Sequence, residues 1–201
     1  VEIVNSQRDT AIAQELKTHA VILGSCVALF WAIEIWDLIS GGTLNRYGIR
    51  PRELTGLWGI FFAPFLHSTL AHVAANTASF LVLGWLVMLR RTRDFWVVSL
   101  IAMIIGGLGT WLIGAPRTVH LGASGVIFGY LGFLLFRGYF ERRILSMFLA
   151  LVTGFLYGGM LWGILPLQFR VSWQGHLFGF IGGVIAARLL AEPHANTTHE
   201  L

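Results

Sequence analysis

The chain has 201 residues, of which 56% are hydrophobic and only 12% charged; its mean hydropathy is +0.72 and its formal charge +4. A soluble domain carries about twice that charged fraction, and the apolar residues here fall in runs near the ~20 needed to cross a bilayer. The basic residues sit in short clusters between those runs, which excludes a nucleic-acid-binding face and points to an integral membrane protein.

Residues 1–18 are polar, carry Arg8, Asp9, Glu15 and Lys17, and predict a tail or short surface helix. The first span is expected over 19–39. It contains the single cysteine, Cys26, so no intrachain disulfide can form. It lacks a small-residue cleavage site, so it reads as a retained span. Glu34 and Asp37 lie about one turn from its exit and are expected to reach interfacial water. Residues 40–69 form a long connection without obvious regular structure, whose aromatic Leu57-Trp58-Gly59-Ile60-Phe61-Phe62 stretch predicts packing at the membrane interface.

The second span is expected over 70–89, stopped by Arg90-Arg91-Thr92-Arg93, and the third over 95–113, stopped by Gly114-Ala115-Pro116-Arg117. The fourth, 122–136, is closed by Arg137, Glu141, Arg142 and Arg143; at ~1.5 Å per residue it is about 22 Å long, too short to cross. The fifth runs over 144–165 to Pro166, and the sixth over 175–190, bounded by Arg188 and Glu192. The expectation is an all-α, polytopic membrane protein: a six-transmembrane-helix bundle over 19–191 with a short central fourth helix and a polar tail over 192–201. Six spans put both termini on one side. Taking that side as cytoplasmic collects Arg8, Lys17, Arg90, Arg91, Arg93, Arg137, Arg142, Arg143 and Arg188, nine of the fourteen basic residues. The three arginines of the first loop, Arg46, Arg50 and Arg52, weaken that bias.

Depth brings the polar residues together. Measured from the basic residue at the cytoplasmic end of its own span, Ser124 is about 20 Å up, His176 about 18 Å and Asn76 about 21 Å. His72 lies one turn above Asn76 on the same side of its helix. Gly122, Gly125, Gly129 and Gly132 mark one face of the fourth span. Gly175, Gly179, Gly183 and Ala187 mark one face of the sixth. Such small-residue faces let helices approach closely, which would bring Ser124 and His176 into hydrogen-bond range. A serine needs a base to become a nucleophile, and imidazole has a suitable pKa. Ser124 and His176 are therefore candidate nucleophile and base. The Ser124 backbone N–H, His72 and Asn76 are candidate oxyanion donors. No acid lies at this level to orient His176, so the pair would be a dyad.

These residues resemble the rhomboid intramembrane serine proteases over about 58–190. The matching motifs are Gly122-Ala123-Ser124-Gly125, Gly175-His176 with Gly179 and Gly183, and His72-Val73-Ala74-Ala75-Asn76; His67 and Trp58 also match common family positions. The resemblance implies cleavage of transmembrane protein substrates in the lipid bilayer, without cofactor or metal, with a bacterial cytoplasmic membrane as the expected host. Two positions depart from the pattern: Gly59 stands where many relatives have arginine, and Phe128 where many have tyrosine. An aromatic face at Phe128 can still pack on the His176 ring.

A metalloenzyme would need His67, His72 and His176, but the separation of the first two suits no single helix face, and no glutamate accompanies them. A non-catalytic rhomboid-like protein that binds transmembrane segments, or a small-solute transporter, remains open on the sequence alone.

Overall fold

The computed structural model describes residues 2–167 and 171–191, with side chains from residue 7 onward; Arg170, Glu192 and the tail expected at 192–201 lie outside them. The described residues are helical, without a named strand.

Helix α1 spans Glu2–Ile39. The separate polar tail or surface helix expected over 1–18 is instead the first part of this one helix, because neither Gly nor Pro interrupts the chain before Gly24. Glu34 and Asp37 are also not at interfacial water. Both are 4% exposed, and an Asp37 carboxylate oxygen accepts the Leu44 N–H at 2.6 Å, tying the helix end to the following loop.

The 40–69 connection is more regular than expected. It contains 3-10 turns at Leu44–Tyr47, Leu54–Trp58 and Ala63–Phe65, and the one-turn helix α2, Gly59–Phe62. Ile49, Ile60 and Ala63 bury a small apolar cluster beneath it. Local i→i+3 bonds satisfy a backbone that hydropathy patterning cannot read as either span or strand.

Then follow α3 (Leu70–Met88), α4 (Thr92–Ile113), α5 (Ser124–Glu141), α6 (Ile144–Tyr157, continued by a 3-10 segment Gly158–Ile164) and α7 (Trp173–Leu190). Among the described residues, four stretches are long and apolar enough to cross a membrane: Gln7–Ile39, Leu70–Met88, Thr92–Ile113 and Ile144–Ile164.

Helix α5 forms the centre, with Tyr130, Leu131 and Phe133 fully inaccessible. It does not stop at Phe136 as expected but continues to Glu141, giving 18 residues and a length of about 27 Å. The first charge is not an exit from the membrane domain. Arg137 is 5% exposed, bonded through Nε to Glu141 at 3.1 Å and through a terminal nitrogen to Asp94 at 3.3 Å. Arg90 also pairs with Glu141, and Ser146 donates to it at 2.6 Å. Opposite charges from α4, α5 and the corner between α3 and α4 neutralise one another, so the helix carries them inside the bundle.

The closest helix contact is between α5 and α7, and glycines set it. A Cβ on Gly179 would strike the Gly125 carbonyl, and one on Gly183 the Gly129 carbonyl. Helix α4 closes on the same seam, where a Cβ on Gly106 would meet the Gly179 backbone at 3.3 Å. Backbones packed this closely gain dispersion contact that no larger residue permits.

Candidate active site

Ser124 is the first residue of α5, and His176 lies in the first turn of α7. Because the glycine seam leaves no side chain between these helix starts, Ser124 Oγ reaches His176 Nε2 at 2.8 Å. The other ring nitrogen, Nδ1, lies 2.9 Å from the Gly163 carbonyl. A carbonyl can only accept, so Nδ1 carries the proton and Nε2 presents its lone pair to the serine hydroxyl. Phe128 stacks on the imidazole with ring centroids 4.1 Å apart and planes 8° from parallel, so the aromatic contact survives without a tyrosine hydroxyl.

The Gly163 carbonyl orients His176 in place of an acid, and nothing in the sequence singles it out, since every residue offers a carbonyl. The one available signal is the glycine itself. A Cβ there would lie 2.9 Å from the Phe128 ring and 3.3 Å from His176 Nδ1, so position 163 must stay bare for the carbonyl to come this close.

The chain enters α5 through Gly122 at φ 116°, a conformation open to glycine and strained for other residues. A Cβ at Gly122 would meet His72 Nε2 at 2.7 Å and Asn76 Nδ2 at 3.4 Å. Two side-chain nitrogens from α3 thus converge on the backbone just before Ser124. Asn76 is 7% exposed, and its Nδ2 is buried without a hydrogen-bond partner among the described residues. The Thr69 side chain caps α3 by accepting the His72 N–H at 3.1 Å, and Ser68 Oγ lies 3.3 Å from His72 Nδ1. Neither Ser68 nor Thr69 was singled out by the sequence, although Thr at an N-cap is a readable signal.

Ser68, His72, Asn76, His120, Ser124, Ser172, Gln174 and His176 share an open cavity of about 1020 Å³. It is wide enough, and carries enough polar side chains, for water to reach groups that lipid could not satisfy.

The remaining predicted residues do not line this cavity. Gly125, Gly179 and Gly183 belong to the helix seam, where they hold the helix starts together. His67 is 1% exposed, and its ring meets His72 edge-on with centroids 5.1 Å apart. Burial, and then the nearby His72, push the His67 imidazole down from 6.5 to about 4, the Phe65 carbonyl opposing this only in part, so the ring is neutral near pH 7. Trp58 is not brought to the cavity; it is 68% exposed at the end of its 3-10 turn. Its neighbour Gly59 packs against the Gly48 carbonyl with no space for a Cβ, which is why arginine could not occupy that position in this loop. Among the described residues no group of three or more His, Cys, Asp or Glu is arranged to hold a metal ion.

Comparison with known proteins gives one family, described as Rhomboid domain, matching residues 54–193. An uncharacterized protein of Mycobacterium tuberculosis is 47% identical over 175 residues, covering 83% of this chain and 73% of that protein. An uncharacterized protein of Mycobacterium leprae is 44% identical over 179 residues, covering 85% and 71% respectively. The rhomboid protease GluP of Bacillus subtilis is 30% identical over 183 residues, covering 84% of this chain and 34% of GluP.

Proposed function

The chain belongs to the rhomboid family, a multi-pass membrane family whose members are generally intramembrane serine proteases, and from that premise we propose that it is an intramembrane serine endopeptidase acting through Ser124 and His176. The single observation that carries the proposal is the 2.8 Å approach of Ser124 Oγ to His176 Nε2 in a water-accessible cavity, with Nδ1 held by a carbonyl.

In this reading His176 Nε2 takes the proton as Ser124 Oγ attacks the scissile carbonyl of a transmembrane substrate. The same proton then goes to the leaving amine, and an activated water releases the acyl group. His72 and Asn76 from α3, with the Ser124 backbone N–H, receive the developing oxyanion. The Ser68 hydroxyl facing His72 Nδ1 can donate there, which leaves the proton on Nε2, aimed toward Gly122. No cofactor or metal enters this scheme.

The same reading keeps six spans over 19–191, with α5 and α7 crossing inside the four long apolar helices. It keeps both termini cytoplasmic in a bacterial cytoplasmic membrane. The basic residues of the α3–α4 and α5–α6 corners then share the cytoplasmic end, and Ser124 opens toward the other face.

The test is cleavage of a transmembrane reporter together with fluorophosphonate labelling of purified protein. Ser124→Ala and His176→Ala each abolish cleavage, Ser124→Ala abolishes labelling, and both variants remain helical. Cleavage near the wild-type rate by either variant would remove the dyad. Failure of the wild type to cleave or label would leave a non-catalytic family member.

A further inference from the structure

We propose that His120 and Ser172 are positioning residues, a second cross-link that sets the register of the α5 start against the α7 start and so holds Ser124 to His176. The inference rests on the reading of Ser124 and His176 as the catalytic pair.

His120 Nδ1 lies 2.7 Å from Ser172 Oγ. His120 is four residues before Ser124, and Ser172 four before His176. Both bonds therefore join positions 52 apart in sequence, with serine and histidine exchanged between the two sides. The two bonds are parallel rungs between the same two segments.

Proton directions in the outer rung are determined by its neighbours. The Thr118 hydroxyl donates to the Ala115 carbonyl at 2.6 Å, so toward His120 Nε2, 2.8 Å away, it can only accept. Nε2 then carries the ring proton, and Nδ1 accepts from the Ser172 hydroxyl. Each member is also fixed through its backbone. The His120 N–H and carbonyl exchange two bonds with Ile49 of the first loop, at 2.9 and 2.8 Å. The Ser172 carbonyl accepts the His176 N–H at 3.1 Å and so opens the first turn of α7.

The inner rung needs this support. Between His120 and Ser124 the chain turns through Gly122 in a left-handed conformation, and glycine restrains its own backbone least of all residues. Reactions of this kind lose about a hundredfold for a ~1 Å misplacement. A rung anchored to a third segment, on the far side of that glycine, limits how far Ser124 can drift from His176.

The experiment uses the full chain in lipid bilayers and compares wild type with Ser172→Ala, His120→Ala, their double variant and Ser172→Thr. Two readouts are taken: kcat and KM on a transmembrane reporter, and the ¹⁵N resonance of His176 Nε2, assigned by its loss in His176→Ala. Each alanine variant should lower kcat by about 10- to 100-fold with little change in KM. The double variant should fall no further than the worse single one, since both remove the same bond. The Nε2 resonance should move toward its value in Ser124→Ala, and Ser172→Thr, which keeps the hydroxyl, should restore both rate and resonance. Wild-type kcat and an unmoved resonance in both alanine variants would overturn the proposal, as would losses that multiply in the double variant. If the wild type cleaves nothing, the catalytic reading fails by itself, because the resonance still reports whether the outer rung holds the inner one.

Discussion

Asn76 Nδ2 is a buried donor without an acceptor among the described residues, aimed at the backbone that precedes Ser124. Nδ2 faces the backbone just before Ser124, where a developing oxyanion would accept from it more strongly than water does, so its gain falls mainly in the transition state. Asn76→Ala should lower kcat by up to about 100-fold with KM little changed, the low end of the range for one oxyanion donor, because water in the cavity compensates in part. Its melting temperature should stay near the wild-type value, since no described residue accepts a hydrogen bond from Nδ2. Raised KM at constant kcat would assign Asn76 to substrate binding instead. His67 carries a different expectation. Its folded pKa of about 4 lies below the ordinary 6.5, so between those values the unfolded chain binds the extra proton. The stability contributed by the neutral ring is complete above about pH 6.5 and is lost as pH falls toward 4. Thermal melting between pH 8 and 4 should show that decline in the wild type and a flatter profile in His67→Phe.

At the scale of elements, the 3-10 continuation of α6 holds His176 through one carbonyl. Gly163→Ala would drive a methyl against the Phe128 ring and toward His176 Nδ1, displacing either the ring or the carbonyl. Cleavage and fluorophosphonate labelling should both slow by about 10- to 100-fold. In the same segment, a methyl on Gly159 would meet nothing within 4 Å, so Gly159→Ala should leave both rates near wild type. Equal effects of the two substitutions would mean that backbone flexibility of the segment, and not the carbonyl's approach, governs His176.

Across the whole molecule, α5 joins two ends with separate duties. Ser124 opens it at the cavity, and seventeen residues later, about 26 Å along the axis, Glu141 closes it in the buried ionic cluster with Arg90, Arg137 and Ser146. Removing one member of a buried ion pair strands its partners, typically at about 3–5 kcal/mol. Glu141→Ala should therefore lower the stability of the purified protein by an amount of that order, read by thermal or denaturant unfolding in detergent. The fraction that remains folded should label at the wild-type rate, because the cluster touches nothing in the cavity. A fall in the labelling rate of folded Glu141→Ala would show that the two ends are coupled along α5.

The membrane class, most helix ends and the convergence of Ser124, His176, His72 and Asn76 were legible in the sequence, because hydrocarbon leaves a polar side chain in an apolar run few reasons to be there. The glycine faces were legible for a related reason: a repeat of small residues is a negative image of a close neighbour. Other features needed the folded chain. The Gly163 carbonyl, the Ile49–His120 bridge and the His120–Ser172 bond are backbone or long-range pairings, and a hydrogen-bond partner 52 positions away leaves no local periodicity. The true length of α5 was hidden as well. A lone charge reads as the end of a span, and only the tertiary structure shows that Arg137 meets Asp94 and Glu141 inside the bundle, where mutual neutralisation replaces water. Sequence determined which side chains are too polar or too small for lipid; the tertiary structure decided which of them meet, because close approach depends on backbones that no residue type encodes alone.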